Sequence, residues 1–139
     1  MDAQTGYLDP LVDWEVFFAA RAELGAGFAR ILGYFREDGE KSVAKIEEAM
    51  HRREAAGLVL PAHTMKSEAR QFGAEPLAAL AEEIEYAARR SVEMRLFPDE
   101  LVPQVARLRP LYLRTMELLE GEANPLRQRR HSPPPAAAS

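Results

Sequence analysis

Phe28, Ile31, Leu32, Phe35, Gly39, Val43, Ile46 and Met50 follow one another in steps of three and four. A helix turns once every 3.6 residues, so this spacing places all eight on one stripe. It predicts one long helix from about residue 26 to 54, with Gly39 costing about 1 kcal/mol relative to Ala in its middle. A break into two helices at Asp38–Gly39 is the alternative. A strand of this length would need alternation in steps of two, and none is present.

The same periodicity recurs on both sides. Phe17, Phe18, Ala20, Arg21 and Leu24 form a short amphipathic stretch that ends near Gly25–Gly27. Ala62, Met65, Ala69 and Phe72 share a face, with Pro61 suited to a first turn and Gly73 to a C-terminal cap. Gly57 is expected to end the long helix before it. Pro76 suits the opening of the next stretch, which runs through Leu77, Leu80, Ile84 and Ala88. After a turn at Phe97, Pro98 and Asp99 comes a last stretch with Leu101, Val105, Leu108, Tyr112 and Leu119, closing at Gly121. Pro110 lies inside it and predicts a kink. Ala and Leu, 23 and 16 residues, outnumber the 13 Val, Ile and Thr, which favours helix over sheet. The expected fold is all-α: an up-and-down four-helix bundle over residues 1–121, with a short additional N-terminal helix covering one end. Residues 122–139 contain Pro125, Pro133, Pro134 and Pro135 and no apolar period, and are expected to be a disordered tail.

Several function classes are excluded early. No apolar run approaches the roughly 20 residues of a membrane span, and no basic-then-apolar leader opens the chain. The absence of cysteine removes disulfide, iron–sulfur and thiol chemistry and suits the cytoplasm. The formal net charge is −4, and Arg127, Arg129 and Arg130 lie in the tail, so the body is acidic. An acidic body argues against nucleic-acid binding. Glu48 and His51 make one Glu-x-x-His pair, but a carboxylate-bridged di-metal bundle needs two. No resident cofactor or metal is expected.

His63 is the candidate reactive group. It lies about 160° round the helix from Met65, and therefore on the solvent side. Lys66, Ser67 and Arg70 follow it at three, four and seven residues on the same stripe. An exposed neutral imidazole is a nucleophile. Lys66 and Arg70 are cations able to neutralise an anion placed on it. Ser67 is small and leaves room for a partner. This combination suits a carrier of phosphoryl groups.

The run His63-Thr64-Met65-Lys66-Ser67-Glu68-Ala69-Arg70-Gln71-Phe72-Gly73 resembles the phosphorylation motif of histidine-containing phosphotransfer (HPt) domains. That motif reads approximately His-x-Leu-Lys-Gly-x-(Ser/Ala)-x-x-(Leu/Phe)-Gly. His63, Lys66, Ala69, Phe72 and Gly73 match it directly and Met65 stands for Leu. Ser67 departs from the usual Gly, and Glu68 stands where a small residue is common. The order of helices is also similar, over roughly residues 10 to 121. The resemblance implies a phosphorelay carrier. His63 would accept a phosphoryl group from the aspartyl phosphate of a receiver domain and pass it to another receiver. Lys66 would neutralise charge, and Thr64, Ser67 and Arg70 would meet the partner. The implied partners are response-regulator receivers and a hybrid histidine kinase, with Mg²⁺ held only in the receiver's acidic pocket. The chain has no phosphate-binding Gly-x-x-x-x-Gly-Lys loop, so no autokinase activity is expected. A monomer is expected; a dimerising histidine-kinase domain would instead give a dimer bundle. The alternative function is a helical adaptor that keeps the fold without the transfer.

Overall fold

The computed structural model describes residues 10–124, and all its regular structure is helical. Five α-helices follow in order: α1 Trp14–Leu24, α2 Phe28–Arg52, α3 Ala56–Gln71, α4 Glu75–Met94 and α5 Val102–Ala123. Helix α2 packs on α3, α3 on α4, α4 on α5 and α5 back on α2. Sequential neighbours joined by short connections close a ring, as in an up-and-down four-helix bundle. No helix among the described residues is long and apolar enough to cross a membrane.

The long helix α2 is unbroken through Gly39, for a reason outside its own sequence. A Cβ at Gly39 would lie 2.4 Å from Cε1 of Tyr112 on α5. The fully buried Tyr112 ring occupies that space, and its hydroxyl donates to the Arg36 carbonyl at 2.8 Å. The propensity cost of glycine is thus exchanged for close approach of α2 and α5. Arg109 adds a two-pronged clamp between the same helices, its Nε and Nη2 donating to Glu47 at 2.9 and 2.8 Å. Arg36 makes a second clamp with Glu120.

Helix α1 is fixed at one end of the bundle by aromatic rings and by its cap. The Asp13 carboxylate accepts from the backbone N–H groups of Glu15 and Val16. The Asp13 N–H donates to the Gly73 carbonyl at 2.8 Å. Gly73 has φ +81°, and a Cβ there would lie 2.5 Å from the Asp13 carbonyl oxygen. Only glycine can both end α3 in this way and admit α1 so closely. Phe17, Phe28, Phe72, Phe35 and Tyr112 then form a chain of ring contacts into the core, with centroids 5.3 to 6.2 Å apart.

Several sequence expectations require correction. Gly57 does not end α2: Arg53 does, in the left-handed region at φ 59°, and Gly57 lies in the first turn of α3. Helix α3 starts at Ala56, so Pro61 is its sixth residue rather than part of its first turn. Its missing N–H takes one partner from the carbonyl of Gly57, a residue that is itself exposed. Helix α5 runs unbroken past Pro110 and past Gly121 to Ala123, and Glu122 is fully buried. The bundle therefore includes residues 122 and 123, which the sequence reading assigned to the tail. The rest of that segment, from residue 125, and residues 1–9 lie outside the described residues.

Candidate functional site

His63 lies in the middle of α3, on the side away from Ala62, Met65 and Ala69, which are all fully buried. Its side chain is 48% exposed. The ring turns toward α4, where Nδ1 comes 3.0 Å from Oε2 of Glu85. Glu85 is the central acid of the site, its side chain only 7% exposed. Burial pushes its carboxyl up, but hydrogen bonds from Lys66, Arg89 and His63 outweigh that and hold it at about 2. It is therefore an anion at neutral pH, and an anionic carboxylate can only accept. Nδ1 of a neutral His63 must then carry the proton and Nε2 the lone pair. No residue among those described hydrogen-bonds to Nε2.

The cations predicted from the sequence are present but engaged. Lys66 is mostly buried, and its Nζ lies 2.9 Å from Oε1 of Glu85. Arg89, one turn after Glu85 on α4, donates to Oε2 from Nε at 2.9 Å. Arg70 is exposed and spans Glu75 and Glu82, at 3.6 and 3.4 Å. His63 and Lys66 thus share one carboxylate, while Arg70 belongs to a separate ion pair toward the end of the helix. Ser67 is exposed one turn beyond His63. Thr64 is half-buried on the opposite flank, where it lines a groove toward α2.

Glu85 and Arg89 were missed in the sequence. The available signal was an acid within the apolar stripe of α4, next to Ile84 and flanked at one turn by the buried small residues Ala81 and Ala88.

The Glu48–His51 pair takes no part in this site. His51 is exposed at the C-terminal end of α2, and Glu48 pairs with Arg52. Among the described residues no group of three or more His, Cys, Asp or Glu is placed to hold a metal ion.

A search of the curated proteins finds no match. Among solved structures, the crystal structure of histidine-containing phosphotransfer protein B (HptB) from Pseudomonas aeruginosa PAO1 is similar, with a TM-score of 0.72. The match covers 87% of this chain and 97% of that one at 23% identity, and so bears on the fold. The family model of the Hpt domain matches residues 30–122, about two thirds of the sequence, with His63 and Glu85 inside the matched segment. On that match the chain belongs to the Hpt domain family, whose general role is histidine phosphotransfer in phosphorelays.

Proposed function

We propose that His63 is the phosphoacceptor, taking a phosphoryl group from the aspartyl phosphate of a receiver domain and passing it to a second receiver. The observation that carries this reading is the 3.0 Å approach of Nδ1 to Glu85 on a ring that is half exposed. It leaves Nε2 as the nucleophilic atom.

The Nε2 lone pair attacks phosphorus, and the N–P bond forms as the P–O bond to the aspartyl oxygen breaks. The electron pair of that bond returns to the receiver's carboxylate. The proton stays on Nδ1. Positive charge develops across the ring, and Glu85 faces it as the buried carboxylate of a catalytic triad faces its imidazole. Transfer onward is the same step in reverse. Phosphoryl transfer is governed by alignment and charge rather than by covalent work from the protein. Lys66 suits the second task, since an ammonium has three donors and one contact to Glu85 leaves others for phosphoryl oxygens. Thr64 and Ser67 lie within one turn of His63 on α3, Arg70 lies two turns along, and all three belong to the surface that meets the receiver. The Mg²⁺ of the exchange belongs to the receiver in this reading. The domain works as a cytoplasmic monomer between a hybrid histidine kinase and its response regulators.

The test is incubation with a panel of phosphorylated receivers. Label is expected on the wild-type chain and absent from His63→Gln, and ATP alone labels neither. Label persisting on His63→Gln contradicts the assignment.

A further inference from the structure

Helix α4 carries a second surface feature, separate from the histidine site. Tyr86, Arg90 and Met94, one turn apart, line a groove of about 250 Å³ together with Leu96, Phe97 and Glu100 of the segment leading into α5. Arg90 lies about 140° round the helix from Glu85. Tyr86, Met94 and Leu96 are 65%, 56% and 61% exposed, so the groove has an apolar floor open to water. Two donors stand at its edge. The Tyr86 hydroxyl has no hydrogen-bond partner among the described residues. Arg90 has no ion-pair partner among them, and its Nη2 meets only the weak thioether acceptor of Met94, at 3.9 Å.

An aromatic, apolar floor edged by donors is complementary to a run of prolines. Proline offers a carbonyl acceptor and no N–H. In the polyproline conformation its carbonyls bond to nothing within the segment, and its order exists before binding. The sequence holds one such run, Pro133 to Pro135, nine to eleven residues beyond Asn124. At about 3.1 Å per residue that distance is roughly 28–34 Å. Helix α5 has 22 residues and is about 33 Å long. It runs antiparallel to α4, so the groove beside its first turn lies about one helix length from Asn124. The order of charges agrees. A segment returning from the end of α5 passes α4 in the direction of increasing residue number. Glu83 precedes Tyr86 by three residues on α4, is exposed and has no ion-pair partner among the described residues. Arg127, Arg129 and Arg130 precede the prolines in the same sense.

We propose that Pro133, Pro134 and Pro135 dock in this groove of their own chain. Their rings pack on Met94, Leu96 and Phe97, and their carbonyls accept from Tyr86 and Arg90. Docking covers the exposed apolar side chains on the monomer and leaves the face of His63 open.

The chain has no cysteine, so Ala137→Cys accepts a nitroxide spin label at a single site of the full chain. In ¹H–¹⁵N spectra the labelled protein should lose the amide signals of Tyr86, Arg90, Met94 and Leu96, and reduction of the nitroxide should restore them. Signals of α2 should keep their intensity. Pro133→Ser, Pro134→Ser and Pro135→Ser together, in the labelled chain, should bring the lost signals back. Tyr86→Ser should do the same without loss of helical circular dichroism, because the side chain is exposed. Signal loss spread evenly over the molecule, or centred on another face, overturns the proposal. Loss at the groove that persists in the triple serine variant overturns the assignment to the prolines. An equal mixture of spin-labelled ¹⁴N chain and unlabelled ¹⁵N chain should show no loss at the groove. Loss there places the segment of a second copy in the groove and overturns docking within one chain.

Discussion

His63 on α3 and Glu85 on α4 lie 22 residues apart in the chain and meet at 3.0 Å. The helix that carries the imidazole therefore does not by itself decide which ring nitrogen is free; the neighbouring helix does. Glu85→Gln should retain an acceptor for Nδ1–H but remove the charge that balances the developing imidazolium. Glu85→Ala should remove both. The expected order of phosphorylation rates is wild type, then Gln, then Ala. The Ala variant should also lose about 1–3 kcal/mol of stability, because Lys66 is left without its buried partner. Denaturant melts and small-donor labelling check the two effects separately. Equal labelling rates in all three proteins would show that the carboxylate has no part in the chemistry.

Ser67 occupies the exposed position one turn beyond His63. Ser67→Tyr should block transfer from a receiver while leaving phosphoramidate labelling and the melting temperature near wild type, since the residue is exposed. Ser67→Gly should stay active and cost about 0.5 kcal/mol in helix propensity. Normal receiver transfer by the Tyr variant would place the docking face elsewhere.

Two carboxyls make opposite contributions to stability as pH changes. Glu85 is held at about 2, below the usual carboxylate value, so its contribution is present above about pH 4.5 and is lost as pH falls toward 2. Glu68 is raised to about 7 by burial and by Asp38, so the folded state favours its protonated form. Its contribution is full below about pH 4.5 and is lost as pH rises through 7. Glu68→Gln should remove the second dependence and raise stability at pH 8 by about 1–3 kcal/mol. Thermal melts between pH 5 and 8 check this. Wild type and variant falling in parallel over that range would contradict it.

The glycines of α2 give a paired test of packing against propensity. Gly33→Ala meets nothing within 4 Å and should stabilise the protein by about 0.5–1 kcal/mol. Gly39→Ala meets the Tyr112 ring and should destabilise it by about 1–3 kcal/mol despite the same gain in propensity. Chemical denaturation of both variants checks the difference in sign.

The bundle was legible in the sequence because its apolar stripes are regular. Leu77, Leu80, Ile84 and Ala88 were read as one face, and all four are buried. Helix ends were less legible. Arg53 ends α2 in a backbone region that costs a side chain about 1–2 kcal/mol, and no local signal in the sequence marks it. That conformation is accompanied by distant contacts: Arg53 Nη1 lies 2.7 Å from Asp99 Oδ1, and its guanidinium lies 4.4 Å from the centre of the Phe97 ring. At the site, the stripe of His63, Lys66, Ser67 and Arg70 could be read from α3 alone. The state of the imidazole could not, because Glu85 lies on another helix and becomes a partner only when α3 and α4 pack. Gly73 was read as a cap, and its approach to Asp13 shows a second demand on the same residue.

The central claim is that Nε2 of His63 carries the phosphoryl group while Nδ1 keeps its proton toward Glu85. The most direct measurement is ¹⁵N and ³¹P NMR of the full chain, with ¹⁵N-labelled histidine, before and after treatment with phosphoramidate. The account predicts a protonated Nδ1 in the free protein and a phosphorus coupling to Nε2 of His63 after treatment, with no signal in His63→Gln. Coupling to Nδ1, or phosphorus on any other residue, would contradict it.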